Sequence, residues 1–163
     1  MSREDFTMIR GARYVFAALA WAFVVGILVQ VYFIGLGLFV SSSYRELHAT
    51  FGWLLHLTPP FILLAAAFAR GGRNVILRTS ALTVLFFFVP ILAAIKADLP
   101  LAASFHPVGA VLAFVLASVV ARDATGLVRS ADADITTSRV EWILVAVIAV
   151  IYLALSLSGG PQT

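Results

Sequence analysis

Two histidines of this chain have the type and the spacing to hold a metal. His48 lies in His48-Ala49-Thr50-Phe51-Gly52, and His106 in His106-Pro107-Val108-Gly109. Each sits at the end of an apolar run, with a glycine about one helical turn further on. Neutral imidazoles from two helices can bind an iron from opposite faces of a haem. The porphyrin is a flat, apolar plate and must lie close to at least one backbone. Gly52 and Gly109 fall on the ligand's own face of the helix, where a missing side chain leaves room. The pair is therefore expected to supply the axial ligands of one haem b, with Gly52 and Gly109 lining it. The competing reading is that interfacial histidines reach toward headgroups and that glycine is common in membrane helices.

His56 is the third histidine. It follows His48 by eight residues, which on a helix is roughly 12 Å deeper and about 80° around. It cannot join His48 on one iron. Three roles stay open: an axial ligand in place of His48, a proton-transfer group, or a buried histidine bonded to a neighbouring helix. Pro59 and Pro60 have no amide proton, so the carbonyls of Leu55 and His56 lose their helical partners. Gln30 and Tyr32 are candidates to line the haem pocket or bond a propionate, against a plain interhelical hydrogen bond. Arg45 is a candidate to pair with a propionate, as is Lys96, against simple snorkelling at the interface.

Other chemistries have no residues to carry them. The chain has no cysteine, which excludes disulfides, thiolate metal sites and cysteine nucleophiles. Zinc usually takes three or four N, S or O ligands, and no further good donor lies near the pair. No G-x-S-x-G, P-loop or Rossmann pattern occurs.

The elements that must position these residues are membrane spans. The chain is 62% hydrophobic with mean hydropathy +1.04, well above the roughly 45–50% apolar content of soluble domains. The apolar residues form long runs, so the expected fold is all-α, an integral membrane bundle of five transmembrane helices. The spans are expected at about 14–40, 44–69, 79–96, 101–121 and 140–157, in one transmembrane domain covering 1–163. Four spans should pack around the site and the fifth should lie outside. The first span is too long for the core of a signal peptide and has no clear A-x-A site.

Charge gives the orientation. Arg3, Arg10, Arg13, Arg70, Arg73, Arg78, Arg122, Arg129 and Arg139 fall on one side of the five spans, and only Arg45 and Lys96 on the other. Under the positive-inside rule the N-terminus is cytoplasmic and the C-terminus outside. His48 and His106 then share a depth near the outer face. The net charge of +3 sits in short loops and is no nucleic-acid signal.

Helix boundaries carry their own signals. Ser43-Tyr44-Arg45-Glu46 and Ser138-Arg139-Val140-Glu141 read as capping boxes for spans two and five. Pro107 after His106 suits a first helical turn, so regular helix should start near His106. Pro59-Pro60 and Pro90 should kink spans two and three. The stretch 122–139 is expected to be the longest loop. Phe86-Phe87-Phe88 reads as lipid-facing or packing surface, and Gly35-Leu36-Gly37 as a place for close helix contact.

Three short motifs give a resemblance: Gln30-x-Tyr32-Phe33-x-Gly35-Leu36, His48-Ala49-x-x-Gly52 and His106-Pro107-x-x-Ala110. With them the chain resembles a family of short multi-span bacterial membrane proteins of unknown function, over roughly residues 15–121. That resemblance implies a bacterial membrane protein and no activity; the expected location is the bacterial inner membrane. More distantly the arrangement is similar to the b-type cytochromes, although the cytochrome b561 pattern has four ligand histidines and two stacked haems. One haem near one face does not carry electrons across a membrane by itself. The expected function is a haem b-binding membrane protein in outer-face electron transfer or in haem handling and sensing, and not an enzyme on its own. Its expected partners are the lipid bilayer, a quinone or redox protein, and further copies or a larger membrane complex. The alternatives are a non-catalytic assembly subunit, or a small channel or transporter gated near His56.

Overall fold

The computed structural model describes residues 3–130 and 136–158. Among the described residues seven α-helices follow one another: α1 (Arg3–Phe39), α2 (Tyr44–His56), α3 (Pro59–Phe68), α4 (Gly72–Ala94), α5 (Pro100–Ala103), α6 (His106–Arg129) and α7 (Arg139–Ser158). A 3₁₀ turn (Ile95–Ala97) extends α4, and no strand occurs among the described residues. These helices combine into five that are long and apolar enough to cross a membrane, the pattern of a multi-pass membrane protein. α2 and α3 together make the second of these, and α5 and α6 the fourth.

Four spans form an up-and-down ring. α1 packs against α2, α3 and α6, and α4 packs against α2, α3 and α6. The α2–α3 span and α6 therefore face each other across one diagonal, and α1 and α4 across the other. α7 lies outside the ring against α3 and α4. The sequence explains the tightest seam. Ala113, Ala117, Ala121 and Ala124 recur at helical spacing on α6 and are buried. Small residues let backbones approach where lipid offers no hydrophobic drive. On α1, Phe16, Ala20, Phe23, Val24 and Ile27 form the matching stripe. Phe23 reaches across the ring to Phe86, edge to face at 4.8 Å between ring centres, and fills the middle.

The proline signals divide. Span two breaks at Leu57–Thr58, just before Pro59-Pro60. Helix α4 instead runs unbroken through Pro90. Both carbonyls freed in span two find hydroxyl donors: Thr58 Oγ1 donates to Leu55 at 2.7 Å, and Tyr152 to His56 at 2.5 Å.

The cap signals divide as well. At α7 the box forms. The Ser138 amide donates to Glu141 Oε2 at 2.7 Å, and the Glu141 amide to Ser138 Oγ at 3.3 Å. At α2 it does not. Ser43 precedes the helix but makes no side-chain cap, because its hydroxyl is paired with Ser41 at 2.9 Å. α6 starts at His106 with Pro107 in its first turn. It runs on to Arg129, so much of the stretch read as a loop is helix. Residues 131–135 of that stretch lie outside the described residues.

Helix α1 has 37 residues, about 55 Å at 1.5 Å per residue, against about 30 Å of hydrocarbon. Its N-terminal turns therefore project beyond the core or tilt within it. Arg13, near that end, is buried. Its Nε donates to the Ala69 carbonyl at 3.4 Å, and its Nη1 to those of Leu127 and Ser130 at 3.1 and 3.0 Å. One guanidinium thus covers the negative C-terminal ends of both α3 and α6. The sequence showed Arg13 only as one more basic residue. Its burial depends on where three helices converge.

Candidate metal centre

His48 sits one turn into α2, and His106 opens α6. They belong to diagonal partners of the ring, and their ring centres stand 6.4 Å apart with planes at 83°. Each imidazole is tied by one nitrogen to a backbone carbonyl of the helix beside it. His48 Nδ1 lies 3.0 Å from the Gln30 oxygen on α1, and His106 Nδ1 lies 2.8 Å from the Val89 oxygen on α4. A carbonyl can only accept, so both Nδ1 atoms carry the proton and both Nε2 atoms carry the free lone pair. Neither Nε2 has a hydrogen-bond partner among the described residues. A backbone carbonyl on the far nitrogen is the usual way to fix tautomer and raise basicity in a ligating histidine.

The glycines explain how the rings reach those carbonyls. A Cβ on Gly52 would stand 2.4 Å from Gln30 Nε2, and one on Gly109 would stand 3.2 Å from Val89 Cγ2. Each glycine thus receives the side chain of the residue whose carbonyl holds the preceding histidine. Without that close approach the imidazole would fall short of the neighbouring backbone. The clearance at Gly52 and Gly109 is taken by α1 and α4, not left open toward the diagonal. A flat ligand would lie between α2 and α6, which pack on α1 and α4 rather than closely on each other.

The spacing of the two rings can be compared with that of a ligand pair. Two imidazoles ligating one ion from opposite sides, at about 2.0 Å per bond, hold their ring centres about 6 Å apart. The observed 6.4 Å is close to that separation, and the two anchored ring planes cross at 83°. Among the described residues no group of three or more His, Asp or Glu side chains could hold an ion. An ion held by His48 and His106 would have to take its remaining ligands from another source.

The other residues of interest divide between the pair and its surroundings. Gln30 belongs at the site. Its backbone holds His48, its side chain covers Gly52, and its Oε1 is buried without a partner. Tyr32 turns away, 64% exposed on the outer face of α1. Arg45 folds back on the end of α1, its Nε donating to the Gly37 carbonyl at 3.3 Å. Of the two glycines flanking Leu36, Gly37 makes the close contact, against Arg45, while Gly35 faces open space.

His56 lies in a different cluster, buried between α2 and α7. Its Nε2 is 3.0 Å from Ser156 Oγ, and its Nδ1 is 3.1 Å from the Tyr152 hydroxyl. Tyr152 gives its single proton to the His56 carbonyl, so Nδ1–H donates to the Tyr152 oxygen and Ser156 donates to Nε2. Trp53 stacks on the ring at 5.2 Å, and Phe86 and Phe87 pack around it. Both ring nitrogens are engaged, so neither is free for a metal. Phe86 and Phe87 are packing surface here, whereas Phe88 is exposed.

Comparison with known proteins adds one partial match and no activity. No curated protein and no solved structure matches the chain. Residues 30–96 match the model of a family described as a family of unknown function (DUF6220). The matched stretch opens at Gln30 and contains His48, Gly52, His56 and Val89, and it ends ten residues before His106.

Proposed function

We propose that this protein binds one haem b between His48 and His106, near the outer face of a bacterial inner membrane, and serves outer-face electron transfer or haem handling and sensing. The observation that carries the reading is the ring pair. Two Nδ1-anchored imidazoles from diagonal helices stand 6.4 Å apart. When bound, the haem supplies a one-electron iron couple whose potential follows axial ligation and burial. The chain's own residues hold the two half-buried imidazoles in one tautomer and keep both Nε2 lone pairs available. Gln30 adds an unpartnered amide oxygen within the same shell. A quinone or a redox protein is the expected electron partner. The alternation of nine arginines against Arg45 and Lys96 supports an N-terminus in the cytoplasm. The short histidine motifs support kinship with bacterial membrane proteins and a distant likeness to b-type cytochromes.

The test is a visible spectrum of the detergent-purified protein, oxidised and dithionite-reduced. A Soret band with sharp reduced α and β bands is expected. His48→Ala and His106→Ala should each abolish the six-coordinate spectrum, while His56→Ala should keep it. A colourless protein after expression with added haem overturns the reading, as does bleaching by His56→Ala alone.

A further inference from the structure

The opposite end of the bundle carries a groove lined by arginines. Arg10 lies twenty residues from Gln30 along α1, about 30 Å of helix and so one hydrocarbon thickness. There the first turns of α1 and the last turns of α6 enclose a groove of about 230 Å³. Arg10 and Arg129 line it and are exposed, and Phe6, Ile9 and Val128 form its apolar wall. Arg13 lies at its base.

Glu4 and Asp5 lie in the first turn of α1, and Asp132 and Asp134 follow Ser130 in the chain; against these, three features favour an anion in the groove itself. The C-terminal end of α6 would repel an anion, but the Arg13 guanidinium covers its carbonyls. Asp123, two turns back on α6, is paired with Arg78 at 2.7 Å. The Arg10 guanidinium stands 6.0 Å from the centre of the Tyr14 ring, which leans it along the α1 surface toward the hydrocarbon. The groove thus joins guanidinium forks to an apolar wall at the height of a membrane interface. Guanidinium suits phosphate oxygens, and basic pockets between spans take anionic headgroups.

We infer that this groove binds an anionic phospholipid. Arg10 and Arg129 hold the phosphate, and the first acyl carbons lie against Phe6, Ile9 and Val128. A soluble phosphate would use the arginines and leave the apolar wall idle.

Native mass spectrometry of the full chain in detergent tests this, with phosphatidylglycerol, phosphatidylcholine and glycerol phosphate as separate probes. Phosphatidylglycerol should be retained in preference to both others. Arg10→Gln and Arg129→Gln should each weaken that retention roughly fivefold. Arg73→Gln, an exposed arginine at the same end but outside the groove, should leave it unchanged. Circular dichroism and unfolding temperature establish that each variant folds, which is expected because all three arginines are exposed. Equal retention of the two lipids overturns the inference, as does an effect of Arg73→Gln equal to that of Arg10→Gln. Binding of glycerol phosphate as tight as that of the lipid also overturns it, since the ligand is then a free phosphoanion.

Discussion

His48 and His56 lie eight residues apart in one span and differ in what their second nitrogen does. His56 has both nitrogens engaged, by Ser156 and Tyr152, under a stacked Trp53. His48 has one nitrogen tied to a carbonyl and one free. The first pattern satisfies a buried histidine, and the second prepares a ligand. The sequence left His56 open between these roles, because the partner hydroxyls come from α7, about a hundred residues on. Tyr152→Phe should therefore act on stability. It strips the proline-freed His56 carbonyl of its donor in a dry setting and should destabilise the fold by about 1–3 kcal/mol, read as a lower unfolding temperature in detergent. The Soret spectrum of that variant should be unchanged if the haem lies between His48 and His106. With planes at 83°, the ferric form should give the strongly anisotropic low-spin EPR signal of crossed imidazoles.

At the scale of the element, caps and glycines decide what the local pattern cannot. The two serine boxes are nearly the same in sequence, yet only Ser138-Glu141 closes. Ser43 spends its hydroxyl on Ser41 inside a tight turn. Ser138→Ala should lower stability by about 1 kcal/mol, whereas Ser43→Ala should change the unfolding temperature little. The glycines after the histidines do mark a place of close approach. What approaches is the neighbouring helix, bringing the carbonyl that anchors the imidazole. Gly52→Leu and Gly109→Leu should push α1 and α4 away and lengthen both Nδ1 contacts. Each should broaden or shift the reduced α band if haem is bound there. Gly52→Ala should be milder, because the atom it meets is the tip of the Gln30 side chain.

At the scale of the molecule, a four-span ring with one outer helix separates a histidine end from an arginine end. That asymmetry gives the orientation its own test. Because the chain has no cysteine, single cysteines report topology cleanly. Ser42→Cys, between α1 and α2, should react with an impermeant maleimide in spheroplasts. Asn74→Cys, at the start of α4, should react only after permeabilisation. The reverse result would place the histidine end in the cytoplasm and move the proposed haem with it. The groove near Arg10 and the histidine pair are far apart along the bundle, so each can fail without the other.

The number of spans and their alternating charge follow from the sequence alone, because a run of apolar residues near twenty long has few other stable solutions in a bilayer. The start of α6 at His106 and the break before Pro59-Pro60 follow too, since a missing amide proton acts locally. Three things needed the tertiary structure. One is that His48 and His106 meet across a diagonal at 6.4 Å, with a protonated Nδ1 on each. Another is that His56 is closed off by α7. The last is that Arg13 turns inward to cover two helix ends. Each depends on groups brought together from distant parts of the chain, and the spacing of residues along one helix says nothing about which neighbour it will face.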